Sequence, residues 1–253
     1  MNGPRFYCPA PLAERQRVEL PENAARHACK VLRLREGDGL VLFDGAGGEY
    51  ASRIASVERN RVTADLLEWR AVECEAPLAI TLVQALQAGE KMDMTVQKAV
   101  ELGVSRIVPV VSQRGVVRLE GERALRRLEH WRGVAVSACE QCGRNRLPEV
   151  MPLVGLKNWL EQSAATDVLR LMLVPGVTRT LAHFLPPSAG GRIELLVGAE
   201  GGLAPEELQL AGAAGFVPIR LGPRILRTET AGLAAIAAIQ CLWGDFKEGA
   251  DHV

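Results

Sequence analysis

The chain has 253 residues, 48% of them hydrophobic, which is enough to fill one large core or two ordinary ones. Thirty basic and thirty acidic side chains give a formal net charge of zero, so bulk charge does not announce a nucleic-acid binder. The opening stretch has no apolar signal core, no later run is long and uncharged enough for a membrane span, and six scattered cysteines do not make a disulfide framework, which together point to a cytoplasmic protein with reduced thiols.

Residues 1–70 read as short alternating runs broken by turn signals: RFYCP, LVLFDGAGGEY, YASRIASV and RVTADLLEW, with 37–39 and 44–45 as punctuation. This predicts a small β-barrel, interrupted by one helix over about 23–32 where Ala24, Ala28 and Val31 or Leu32 keep a 3.6-residue period. From Pro77 the pattern changes to strands alternating with helices. A buried strand is expected over 78–84, an amphipathic helix over 91–103, a strand over 106–111 and a long helix over 122–142. Strands follow over 168–175 and 192–198, then a helix opening at Pro205, a short strand within 216–221 and an Ala-rich helix over 229–243. The sum is α/β with a mostly parallel sheet behind a β-rich first domain, divided into 1–73 and 74–253. Residues 247–253 read as a frayed tail.

Charge is uneven: residues 76–148 carry 11 basic and 7 acidic side chains, whereas the flanking thirds are slightly acidic. Cys139 and Cys142 have CxxC spacing, but the histidines His27, His130, His183 and His252 are far apart in sequence, so two cysteines one turn apart on a helix is the preferred reading and no metal is expected. Dinucleotide, P-loop, nucleophile-elbow and zinc-protease signatures are absent. Two glycine-containing strand exits stand out instead, GAEGG at 198–202 and LGPRILRTETA at 221–231. Glycines let backbone approach a flat ligand, although a tight turn explains the first loop equally well. Thr228 reads most simply as the cap of the helix that follows, with Glu229 favourable in its first turn. That helix is apolar nearly all round and must be buried on more than one side, within the chain or at a subunit interface.

These residues resemble the RsmE-type 16S rRNA uridine-N3 methyltransferases of the SPOUT, or trefoil-knot, class. The likeness runs nearly end to end. Pro4, Arg5, Phe6 and Tyr7, then the run 27–33 and LFDG at 42–45, resemble the family's PUA-like RNA-binding barrel. Motifs at 89–93, 97–103, 113–114 and 140–144, with Pro148, fall in the family's order, as do GAEGG and the specific LGPRILRTETA. Ala88, Ala199, Cys142 and Ala204 stand where the family often has lysine, proline, serine and serine.

The resemblance implies an α/β fold with a PUA-like β-barrel followed by a knotted methyltransferase domain, a homodimer, and S-adenosylmethionine as cofactor. It implies methylation of one uridine (U1498 in the usual RNA numbering) of 16S rRNA in the 30S subunit. Cofactor contacts are expected from Leu173, Val174, Pro175 and Gly176; from Val197, Gly198, Glu200, Gly201 and Gly202; and from Leu221, Gly222, Ile225, Leu226, Arg227, Thr230 and Ala231. Arg114, Arg144 and Arg227 are expected to hold uridine, phosphate or developing charge, with Glu229 orienting an arginine or acting as base. Arg5, His27, Arg33 and Lys91 are expected RNA contacts. Rival readings are a non-catalytic RNA-binding assembly factor, a SPOUT enzyme acting on another RNA, and a nucleotide-dependent enzyme using GAEGG as a phosphate loop; no lysine follows that loop.

Overall fold

Alternating apolar residues near the N-terminus turn one face of a five-stranded sheet inward. In the computed structural model, which describes residues 3–9, 11–58, 61–162, 167–188 and 190–246, the strands are β1 (Arg5–Tyr7), β2 (Arg17–Glu19), β3 (Gly39–Phe43), β4 (Glu49–Glu58) and β5 (Arg61–Arg70). Their order is β1-β3-β4-β5-β2; β1 runs parallel to β3 and the other pairs are antiparallel. Register shifts between Ala51 and Ser52 and between Ile54 and Ser56 bend the long β4–β5 ribbon. Phe6 from one edge strand and Val18 from the other meet Leu40, Leu42, Ile54, Val62, Ala64 and Leu66 in one core, so the sheet curls around it. The expected helix is present but changes winding, with α1 (Glu22–Arg26) passing into a wider π-turn over His27–Val31 that ends at Arg33 with φ +55.

Clustering of contacts divides the chain into two units, and the first contains Cys139–Leu147 as well as Met1–Glu75. The expected division at 73/74 treated the chain as two continuous blocks; this returning segment is a difference from it. Four side chains or backbone groups explain why it belongs there. Glu140 accepts the N–H of Tyr7 (2.9 Å), and Leu147 donates its N–H to the carbonyl of Gly45 (3.2 Å). Asn145, wholly buried, donates to the carbonyl of Val72 (2.6 Å), and Arg144, 3% exposed, pairs with Glu75 (2.6 Å). Cys139 is a buried free thiol whose pKa burial pushes up to about 12, so it stays protonated and unreactive rather than acting as half of a CxxC couple.

The second unit, Ala76–Ala138 and Pro148–Val253, is built on a parallel sheet. Its elements in chain order are β6 (Ala79–Ala85), α2 (Lys91–Glu101), β7 (Arg106–Val111), α3 (Gly121–Cys142, of which the part before Cys139 belongs here), β8 (Glu149–Val150), β9 (Val154–Gly155), α4 (Leu156–Gln162), β10 (Val168–Leu173), β11 (Arg192–Val197), α5 (Pro205–Ala213), β12 (Val217–Ile219) and α6 (Thr228–Trp243). The order is β12-β10-β11-β6-β7-β8, with β9 also on β7, and every pair is parallel. Ile80, Leu82, Val83 and Ala85 of the central strand are all fully buried, as a strand covered on both faces requires. One face packs Val83, Val108, Val110, Met172 and Leu196 against Leu156, Leu160, Ala211 and Phe216. On the other, α6 lies against α2, β6 and β11. Gln240, the one long polar side chain within the apolar run of α6, is fully buried and donates to the carbonyl of Leu102 (2.9 Å), closing the end of α2. No helix among the described residues is long and apolar enough to cross a membrane. The expected tail at 247–253, which includes His252, lies outside the described residues.

Candidate active site

Parallel strands all release the chain at the same edge of the sheet, and in open α/β sheets ligands bind beyond those carboxyl ends. Here β10, β11 and β12 deliver three loops, and a cavity of about 400 Å³ opens among them. Leu173, Val174, Pro175 and Gly176 line it from β10; Val197, Gly198, Ala199, Glu200 and Gly202 from β11; Ile219, Arg220, Leu221, Gly222, Pro223, Arg224, Ile225, Leu226 and Arg227 from β12; and Thr228, Glu229, Ala231 and Lys91 complete it. That volume suits one small-molecule ligand, and the walls are chiefly apolar side chains and exposed backbone.

The β11 loop is a tight turn in which Gly202 donates its N–H to the carbonyl of Ala199 (2.8 Å), with φ +69 at Gly202. Glu207 holds the loop's exit. It is 4% exposed, and its carboxylate accepts the N–H of Ala204 (2.8 Å) and that of Gln113 (2.8 Å), supplying half of a capping box where Ala204 has no side-chain acceptor.

Thr228 corrects a simple reading. The N-cap position of α6 is Arg227, whose backbone carbonyl accepts the N–H groups of Thr230 and Ala231. The buried Thr228 hydroxyl instead donates to the carbonyl of Gly198 (2.6 Å) and accepts from Gln84 (3.1 Å), tying the last glycine loop to the β11 loop. Gln87 extends this buried cluster: with its amide oriented to satisfy all neighbours, it accepts the N–H of Glu229 (3.2 Å) and donates to the carbonyl of Lys91 (3.1 Å). Thr228→Val keeps the shape and removes the hydroxyl, leaving the Gly198 carbonyl unpaired. We expect a loss of about 1–3 kcal/mol of stability, read by chemical unfolding, together with weaker ligand binding in the cavity.

Glu229 and Lys91 set the electrostatics. The Lys91 ammonium lies 3.3 Å from Glu229 and 3.5 Å from Glu200, so this residue, expected on RNA, stands in the cavity wall between two carboxylates. The Glu229 carboxyl is held below the usual carboxylate value, first by its own backbone N–H, then by Lys91 and Arg227 working against burial. Its Oε2 is buried and has no hydrogen-bond partner among the described residues.

Of the other expected residues, Arg114 is exposed and donates to the carbonyl of Gly201 (3.2 Å), beside the β11 loop. Gly201 and Thr230 do not line the cavity; Gly201 backs onto Arg114, and Thr230 points outward in the first turn of α6. Arg144 lies in the first unit, buried on Glu75, whose carboxylate its guanidinium grips through Nε and Nη2. Arg5 is likewise internal: it pairs with Glu49, donates to Asn145 (2.5 Å) and stacks over Phe43. Arg33 is exposed, and His27, also exposed, packs edge-on against Phe6. Sequence reasoning missed Arg220 and Arg224 in the cavity wall; Arg220 directly precedes the recognised glycine loop and Arg224 lies within it, and the sequence LGPR gave no sign of which way they face.

A profile for an RNA methyltransferase domain matches residues 74–240, and one for an RNA methyltransferase PUA domain matches residues 20–67. The chain is 33% identical over 242 residues to ribosomal RNA small subunit methyltransferase E of Buchnera aphidicola, covering 96% of this chain and 97% of that one. Its fold matches that of the methyltransferase E from Neisseria gonorrhoeae crystallised with S-adenosyl methionine, at a TM-score of 0.91 and 45% identity over 97% of this chain and 100% of that one. A methyltransferase from Legionella pneumophila, crystallised with the cofactor SAM, matches at a TM-score of 0.92 and 36% identity, with the same coverage.

Proposed function

The chain belongs to the RsmE-type family of small-subunit ribosomal RNA methyltransferases, SPOUT-class enzymes that use S-adenosylmethionine, and from that membership we propose that it methylates N3 of a uridine in 16S rRNA within or destined for the 30S subunit. It is accordingly an S-adenosylmethionine-dependent RNA methyltransferase with a PUA-like region and a SPOUT-like α/β domain. The observation that carries the proposal is the cavity of about 400 Å³ enclosed by three strand exits and drawn tight at Gly198, where an added side chain would meet the backbone of Gly202 and Leu203.

The residues present fit the cofactor. Apolar walls from Leu173, Val197, Leu221 and Leu226 suit an adenine ring, backbone at 198–202 suits its polar edge, and the Glu229 carboxylate suits a ligand that carries positive charge. When bound, S-adenosylmethionine supplies a methyl group activated by its positively charged sulfur. The chain's own work is to place uridine N3 in line with that methyl and to stabilise the anion left when the N3 proton departs. Arg227 and Arg224 in the cavity wall and Arg114 beside the β11 loop are exposed cations available for this task, while Glu229 orients Arg227 and Lys91 by their mutual attraction. With Arg144 committed to Glu75, it has no direct part in this proposal.

Glu229 is too weak a base to be the group that titrates near neutrality. Because its pKa is lowered on folding, the stabilisation from its contacts is complete above the ordinary carboxylate range and is lost only as pH falls through the lowered value. The kcat profile is therefore expected to show no limb from Glu229 between about pH 6 and 8, and Glu229→Gln should lower kcat without changing the profile's shape there. A neutral limb that vanishes in Glu229→Gln would overturn the orienting role.

A homodimer and a cytoplasmic location complete the proposal. The α6 face carrying Leu233, Ala237 and Leu242 is left half-exposed or exposed in the single chain, as a face covered by a second copy would be. The deciding experiment incubates the protein with labelled S-adenosylmethionine and either unmodified 30S subunits or naked 16S rRNA, then identifies the labelled nucleoside. Label in 3-methyluridine supports the proposal, and label in any other nucleoside sinks it.

A further inference from the structure

The surplus of positive charge in the middle of the chain has a definite place. From 113 to 132 the chain carries six arginines and three glutamates, over the loop after β7 and the first half of α3. On α3 the buried side is Leu128, Trp131, Ala135 and Ala138, and the opposite side is solvent-facing. Asp93 fixes that orientation by accepting from Trp131 (3.0 Å) and pairing with His130 (2.8 Å). Arg126 and Arg132 pair with Glu122 and Glu129 within the helix. Arg123 and Arg127 are exposed and, among the described residues, have no carboxylate partner.

Those two arginines are one helical turn apart, so their stems lie about 6 Å from each other on one face, and with Leu119, Arg126 and His130 they border a shallow groove. Nearer the cavity, Arg118 reaches the carbonyls of Gly115 (2.9 Å) and Ser112 (3.4 Å), and Arg114 the carbonyl of Gly201 (3.2 Å). Among the described residues neither has a carboxylate partner, so no opposite charge offsets either guanidinium. The four unneutralised arginines thus form a track that begins at the glycine loop of the cavity and runs onto α3.

We propose that this track holds the phosphate backbone of the substrate RNA strand on one side of the methylated nucleotide, with Arg123 and Arg127 gripping successive phosphates. The inference rests on the RNA methyltransferase reading and adds the path of the strand. Charge decides for RNA over a second copy of this chain: among the described residues the face offers guanidinium groups without a carboxylate partner, and two of its three glutamates, Glu122 and Glu129, are already engaged, which leaves no anionic patch to complement itself. A strand leaving a cavity for a surface site needs contacts that are blind to sequence, which phosphate contacts are.

The test is the Arg123→Gln/Arg127→Gln enzyme assayed on unmodified 30S subunits and on naked 16S rRNA across a salt series, with cofactor affinity measured separately. Both positions are exposed, so the fold should be intact, and cofactor affinity and kcat should be unchanged. The RNA KM should rise about tenfold or more, and the slope of log KM against log salt should fall by about 1.4, at roughly 0.7 per phosphate on a single strand. Arg123→Lys/Arg127→Lys should restore most of the loss, since phosphate accepts a point charge. An unchanged KM and salt slope would overturn the track while leaving the enzyme's function intact. A change of oligomeric state with KM unchanged would assign the face to a second copy instead. Failure of the unaltered enzyme to methylate either substrate would remove the reading on which the track rests.

Discussion

Gly198→Ala is expected to abolish useful S-adenosylmethionine binding, raising Kd about 100-fold or more, which corresponds to at least ~2.7 kcal/mol. A Cβ at this position would lie 2.9 Å from the carbonyl carbon of Gly202 and 3.0 Å from the nitrogen of Leu203. Both are backbone atoms of the turn that the glycine closes, so no side-chain rotation relieves the clash and the turn itself must open. Opening it withdraws the Gly198 carbonyl from the Thr228 hydroxyl, and with it the contact that holds the β11 loop to the start of α6. Two of the three cavity walls therefore move together. Calorimetric titration of the cofactor reads the effect, and far-ultraviolet circular dichroism verifies that the sheet persists. Gly202→Ala is the informative contrast: nothing lies within 4 Å of its added Cβ, and only the strain of φ +69 opposes it, so a smaller loss of about 1 kcal/mol is expected. Equal affinity in Gly198→Ala and the unaltered enzyme would show that the cofactor does not rely on this turn.

Arg144→Ala should cost about 3 kcal/mol or more of folding stability and should lower activity only through unfolding. The guanidinium is nearly all buried, its side chain 4% exposed, and it grips Glu75 through both Nε and Nη2. Removing it leaves a partly buried carboxylate unpaired and opens a hole where the returning segment joins the first unit. Arg144→Lys keeps the charge but loses the two-pronged geometry and should recover only part of the stability. The measurement that separates a structural from a catalytic role is kcat at low temperature, where the variant remains folded. There we expect kcat within about twofold of the unaltered enzyme. A drop of two orders of magnitude in a fully folded variant would restore Arg144 to the reaction.

Much of the second unit was legible because a covered parallel strand writes itself as a continuous apolar run. Ala79–Ala85, Arg106–Val111 and Arg192–Val197 fell where such runs stood, and Gly103 and Pro205 marked helix ends through chemistry local to one residue. The three-residue β2, the two-residue β8 and β9, and the seven-residue α4 were not legible, since pieces that short repeat a pattern fewer than two full times and are fixed by their neighbours. Within the cavity, the glycine loops announced themselves by composition, whereas Thr228 looked like a cap because its true partner, the Gly198 carbonyl, is 30 residues away. Arg144 and Arg5 illustrate the same limit from the other side. Family position made them candidates for ligand binding, and only the fold brings Glu75, Glu49 and Asn145 to them.

The first unit is made from two stretches of chain, and this sets an order on its birth. As the polypeptide leaves the ribosome, Met1–Glu75 emerges first with its strands complete, yet Arg5 and Glu75 then lack Asn145 and Arg144. The barrel-like unit can reach its finished form only after a further 72 residues have been translated. A stop after residue 75 would therefore release a loosened fragment, and separate expression of this unit calls for residues 139–147 to be spliced onto it. Nascent chains arrested before and after residue 147 should differ sharply in resistance to protease.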